Sequence, residues 1–155
     1  MTLYLFTSKH ILMSDCYIVF TFRDQYGDFQ IERLRASQAG SCYQVESIPQ
    51  FTPSVSRGDI VSAVMEEDEL HFEMVMDASG NSTIQVYFFD ETQMESVFEY
   101  ITARGCNWEA HPEKKLLAVN VPIACSTPRY NSILKKGRKK VNGLSKNPVC
   151  RIIEN

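Results

Sequence analysis

Few side chains in this 155-residue chain are spaced for bond-making chemistry. Cys106 and His111 lie five residues apart, close enough to raise the idea of a thiol activated by an imidazole. Both flank a strand-like run, however, and alternation along a strand does not oblige its two ends to meet. The remaining histidines, His10 and His71, fall in an N-terminal stretch and in another strand-like run. No H-E-x-x-H motif or Cys-x-x-Cys pair gathers metal ligands on one face. The phosphate-cradling loop, the G-x-G-x-x-G turn and the G-x-S-x-G nucleophile elbow are all missing. The sequence therefore predicts no catalytic residue, no metal, no cofactor and no small-molecule substrate, and argues for a protein that is not an enzyme.

Charge is the more informative feature. Residues 59–113 hold thirteen acids and one base, whereas residues 114–155 hold ten bases and one acid. Acidic strands facing a basic helix in the same molecule would explain this, and so would an acidic face that meets a basic partner. On the second account the contact residues are Glu66, Glu67, Asp68, Glu69 and Glu73, joined by Asp90 and Glu91 at the start of a helix. The basic run Lys135-Lys136-Gly137-Arg138-Lys139-Lys140 reads as a solvated helix face. Direct nucleic-acid binding is not expected, because the aromatic signature of an RNA-recognition motif is missing and the acidic middle would repel phosphate. Arg57-Gly58-Asp59 spells an adhesion tripeptide, but without an export signal it reads as a turn, with Asp59 opening the next strand.

These residues need elements to hold them. CYIVFTFR from Cys16, DFQIERLRA, SCYQVES, DIVSAVM and LHFEMVM are five short β-rich runs separated by turns, with Pro49 and Pro53 bending the chain between the third and fourth. Five strands without a helix predict a small barrel-like sheet over 15–78, preceded by an N-terminal extension over 1–14. TIQVYFF then reads as a central strand, and Met94, Val97, Phe98 and Ile101 fall on one helical face behind the Asp90 cap. CNWEA and LLAVNVP form a hairpin, Thr127 and Pro128 open a second helix reaching Val141, and VCRII ends as an edge strand. That order predicts an α+β fold, with a ferredoxin-like βαββαβ unit over 79–155. Trp108, Tyr87 and Phe89 are expected in the core. The five cysteines are odd in number and widely spaced, which fits free buried thiols rather than a disulfide framework. No window is apolar enough for a membrane span, so a cytoplasmic location is expected.

Three short motifs in order, Gly58-Asp59-Ile60-Val61, Ser79-Gly80-Asn81-Ser82-Thr83 and Gly105-Cys106-Asn107-Trp108, make the chain resemble a family of small bacterial proteins catalogued as a domain of unknown function. The resemblance spans residues 16 to 122. It implies a role like that of the immunity proteins of contact-dependent growth inhibition, which bind and neutralise a cognate antibacterial toxin domain. Were that toxin a nuclease, an acidic surface would suit its basic phosphate-binding site. The alternative is a regulatory or nucleic-acid-binding module using the 135–140 run.

Overall fold

Short runs of β-branched and aromatic residues bury one face each and leave backbone groups that only neighbouring strands can satisfy. The computed structural model describes residues 15–89 and 94–124, together with the backbone of 150–154. Strands β1 (Cys16–Arg23), β2 (Phe29–Ala39), β3 (Cys42–Val45), β4 (Ile60–Glu66) and β5 (Glu69–Asp77) form a closed barrel in that order. Each runs antiparallel to its predecessor, so the fifth strand points the same way as the first and closure must be parallel. The parallel seam is short, pairing Ile18 with Leu70 and Val19 with His71. Ile18, Phe20, Leu34, Ala36, Val45, Val55 and Val61 fill the interior, and Phe20 stacks on Phe72 with ring centroids 4.6 Å apart. A barrel this small is packed solid, and closure leaves it no free edge.

The second sheet holds β6 (Ser82–Phe88), β7 (Asn107–His111), β8 (Leu116–Val121) and β9 (Cys150–Glu154) in the order β7-β8-β6-β9. Its two faces differ because side chains alternate. Ile84, Val86, Phe88, Leu117, Val119 and Val121 pack under helix α1 (Met94–Thr102), which contributes buried Ile101 with Val97 and Phe98. Thr83, Gln85, Ala118 and Asn120 alternate with them, and they too are buried. What covers this polar face is the loop between β3 and β4: Glu109 accepts the Ile48 N–H, Gln85 donates to the Gln50 carbonyl at 2.6 Å, and Thr83 meets Ser56.

The architecture corrects the expected fold class. Nine strands in two sheets and the single α-helix α1 make the described residues mostly β, so the ferredoxin-like α+β assignment fails. The physical reason lies in the second face. A ferredoxin-like unit leaves that face to solvent, whereas here Thr83, Gln85 and Asn120 are buried beneath a loop of the barrel. The second helix expected from Thr127, the N-terminal extension and the basic run 135–140 lie outside the described residues.

Two carboxylates hold that loop. Glu32 shares the inward parity of Leu34 and Ala36 on β2, and its oxygens accept the N–H groups of Gln50 at 2.7 Å, Phe51 at 3.0 Å and Thr52 at 2.7 Å, plus the Thr52 hydroxyl at 2.7 Å. Asp59, 5% exposed, accepts the Ser56 and Ser79 N–H groups, each at 2.8 Å, and the Ser79 hydroxyl at 2.7 Å. Gly58 between them has φ of 90°, and a Cβ there would stand 3.1 Å from Ser79 Cβ. The Arg-Gly-Asp turn is thus a tie between the barrel and the entry to β6.

Hydrogen bonds to charged acceptors contribute about 1.5 to 3 kcal/mol, and a half-buried donor left unpaired carries its own penalty. Glu32→Ala is therefore expected to cost about 3 kcal/mol in urea unfolding and to speed hydrogen exchange at Gln50, Phe51 and Thr52 before the barrel strands. Asp59→Asn, which turns one acceptor oxygen into a donor facing other donors, should cost about 2 kcal/mol in the same assay. An unchanged midpoint for either variant would remove the clamp from this account.

Candidate functional site

The acidic residues singled out in the sequence meet at one hairpin. β4 and β5 run out to Glu66 and Glu69, which face one another across the ladder, and Glu67 and Asp68 make the two-residue turn between them. Such a turn needs positive φ at both positions and normally employs Asn-Gly. Here Glu67 has φ of 49° and Asp68 of 66°, so two acids occupy a conformation that favours glycine. Like charges directly opposed on a ladder repel as well. All four acids, and Glu73 further along β5, are exposed.

One cation relieves part of this repulsion. Arg33 on β2 donates Nε to Glu69 Oε1 at 3.0 Å and Nη2 to Oε2 at 3.2 Å, a two-pronged grip that spans β1. Bonded to that guanidinium, the Glu69 carboxyl is held below the ordinary glutamate value. Among the described residues Glu69 is the member of the acidic group that an arginine pairs with. Exposed Met65, Met74 and Met76 stand on the same two strands, so the acidic surface carries flexible apolar side chains as well. A register shift between Ser62 and Ala63 bends β4 partway along the hairpin. Asp90 and Glu91 lie outside the described residues, so the hairpin stands without them.

Other sequence candidates separate. Cys106 is buried in the core under α1, whereas His111, at the far end of β7, packs edge-on against Phe51 of the barrel loop. The thiol and the imidazole therefore belong to opposite faces of the sheet. Cys16 and Cys42 are half-buried free thiols, so burial of cysteine is complete at Cys106 alone among these three. No trio of His, Cys, Asp or Glu suited to a metal ion gathers among the described residues. Phe89, expected inside, is 57% exposed, because it follows the last residue of β6. Trp108 is partly exposed on β7, its ring stacked on Phe98 at 4.5 Å and its Nε1 donating to Thr102. No helix of the described residues is long and apolar enough to cross a membrane.

Sequence reasoning missed two features. The first is a groove of about 610 Å3 where the β1–β2 turn meets the second sheet, lined by Phe22, Tyr26, Phe51, Tyr87 and Phe89 from three separate segments. The second is the outer face of the β1–β2 hairpin. There the register sets Tyr17 opposite Arg35, Val19 opposite Arg33, Thr21 opposite Ile31 and Arg23 opposite Phe29. Period-two counting along each strand would have revealed the stripe, but only with the pairing register in hand.

No curated protein matches the chain. A solved structure described as the novel crystal structure of a hypothetical protein from Neisseria gonorrhoeae superposes with a TM-score of 0.75 over 90% of this chain and 93% of that one, at 20% identity. At that identity the likeness speaks for the fold alone. A family model described as a domain of unknown function (DUF4265) matches residues 32–143, which runs from within β2 through β8 and takes in the acidic hairpin and both carboxylate ties. The chain belongs to that family.

Proposed function

We propose that this chain is a binding protein that docks a basic partner on the β4–β5 hairpin, in the manner of an immunity protein that neutralises an antibacterial toxin domain. The observation that carries the reading is the hairpin tip, where four consecutive exposed acids persist although two sit at positive φ and two repel across the ladder. A fold selected for stability alone would place Asn-Gly in that turn. The acids instead project from the tip of a hairpin whose strands belong to a closed barrel, and a backbone ordered before binding lowers the entropy lost on association. Met65, Met74 and Met76 add the adaptable apolar surface that interfaces favour beside charge. A nuclease toxin would offer the basic complement, since its substrate site is built for phosphate. The alternative reading rests on the 135–140 run, which lies outside the described residues.

Arg33 gives an internal measure of what the hairpin does with a cation. Its grip on Glu69 lowers that carboxyl's pKa, so the interaction is present above the ordinary glutamate value and fades as pH falls through the lower folded value. In a carbon-detected NMR titration, Glu69 should titrate below the ordinary glutamate value, and Arg33→Gln should bring it back up. A Glu69 that titrates at the ordinary value in the wild-type protein would remove the ion pair from solution.

The partner itself is testable by tagging the protein in its native cells and identifying what co-purifies. The expected result is a single basic domain in one-to-one ratio, lost when Glu66, Glu67 and Asp68 are all changed to lysine. Its association rate should fall at least about tenfold at low salt in that variant, as for steered encounters. Retention of the same partner by the triple variant would sink the hairpin as the contact surface.

A further inference from the structure

We infer that the polar pocket between the barrel and the edge of the second sheet binds a free α-amino acid in its zwitterionic form. The pocket holds about 340 Å3, near the small end of the range of about 300 to 1,000 Å3 usual for small-molecule sites. Its walls come from both sheets and their connections: Gln44 on β3, Glu46 just beyond it, Arg57 in the loop before β4, Asn81 in the turn before β6, and Asn107 and Asn120 on β7 and β8. A junction between packed units is a common place for such a site.

The observation that points to a ligand is Asn120. It is 4% exposed, and its Oδ1 is buried without a hydrogen-bond partner. Native structures rarely leave a buried polar atom unpaired, so each exception calls for an explanation. Its neighbours in register do not supply the bond: Thr83 gives its hydroxyl to Ser56 at 3.4 Å, and Asn107, opposite Asn120 on β7, is exposed. An acceptor in this position calls for a donor from the pocket, and the terminal torsion of asparagine is broad enough to turn toward one. Asn81, by contrast, is a fixed wall, donating Nδ2 to the Arg57 carbonyl at 2.7 Å and accepting the Ile123 N–H at 3.1 Å.

Charge narrows the ligand further. The ion pairs among the described residues are Arg33–Glu69 and Arg35–Asp15, so Arg57 and Glu46 line one pocket without neutralising each other. Glu46 keeps a second oxygen beyond the Oε1 that accepts the Ser37 hydroxyl at 2.8 Å. A separated cation and anion are complemented by a ligand with both charges on one carbon. Its carboxylate suits Arg57 and the exposed amide of Asn107, and its ammonium group suits Glu46 and Asn120 Oδ1. The carboxylates that border the pocket have partners of their own: Asp59 accepts from Ser56 and Ser79, and Glu109 from the Ile48 N–H. They still make the surroundings acidic, which a ligand of no net charge tolerates and a phosphate would not. The lining includes no thiol, hydroxyl or imidazole, so the ligand is held rather than converted.

The test uses the full chain and the common protein amino acids, each at up to about 10 mM, enough to fill a site of millimolar affinity. At least one should raise the thermal unfolding midpoint, because a ligand held only by the folded state stabilises it. The same ligand should shift the side-chain amide signals of Asn107 and Asn120 in a nitrogen-edited NMR spectrum. Its N-acetyl and carboxamide derivatives, each lacking one charge, should bind at least about tenfold more weakly, and Arg57→Gln should lose a similar factor for the parent amino acid. Asn120→Leu removes the orphan amide at similar size, so the ligand-free variant should unfold at the same or a higher midpoint while binding falls at least about tenfold. If that variant does not fold, Arg57→Gln and the two derivatives decide the matter. The proposal is overturned if no amino acid binds the wild-type chain, or if Arg57→Gln or Asn120→Leu, shown folded by circular dichroism, binds as tightly as the wild type. Full affinity for the N-acetyl derivative overturns it too, since that places a peptide C-terminus in the pocket instead of a free amino acid.

Discussion

The segment from Ile48 to Thr52 belongs to no helix or strand, yet both sheets are built against it. Its backbone is held from two sides: Glu32 reaches out of the barrel to three consecutive N–H groups, while Glu109 and Gln85 reach from the second sheet to the Ile48 N–H and the Gln50 carbonyl. An irregular segment cannot satisfy its own peptide groups, so burying one is expensive unless side chains supply partners. Glu32 supplies most of them at once, since an ionised carboxylate has two oxygens and accepts up to about four hydrogen bonds. Buried Asp59 repeats the device at the other end of the connection. Together these ties hold the polar face of β6, β7 and β8 beneath the barrel, and they decide that the molecule has two covered faces rather than one.

That rigidity gives the barrel surface its meaning. A closed five-stranded barrel has no free edge to recruit partners by strand pairing, so recognition falls to side chains projecting outward. The projecting side chains sort by strand: acids and methionines on β4 and β5, arginines and aromatics on β1 and β2. The Arg33–Glu69 pair is where the two fields touch. An exposed ion pair of this kind adds little to stability.

Much of this was legible in the chain before any coordinates. CYIVFTFR and TIQVYFF declare strands by their residue types, and Met94, Val97, Phe98 and Ile101 declare a helix by their spacing. The acidic hairpin was legible for a related reason: Glu66 to Glu69 are contiguous, and contiguous acids between two strands have no place but a solvated turn. The fold class was not. The order strand, helix, strand, strand, helix, strand pointed to a ferredoxin-like unit, and nothing local to Thr83 or Gln85 says that another part of the chain will bury them.

What the sequence determined by itself is the set of local elements and the clustering of charge along the chain, because periodicity and adjacency are properties of neighbours. Only the tertiary structure decided which non-neighbours meet. Glu32 and Thr52 are twenty residues apart, Glu109 and Ile48 sixty-one, and Arg33 and Glu69 thirty-six. The same is true of the Tyr17–Arg35 and Arg23–Phe29 pairs, which exist only through the register of β1 on β2. A one-residue slip would send every one of those side chains to the opposite face, and the burial of Ile18, Phe20, Leu34 and Ala36 in the barrel is what forbids it.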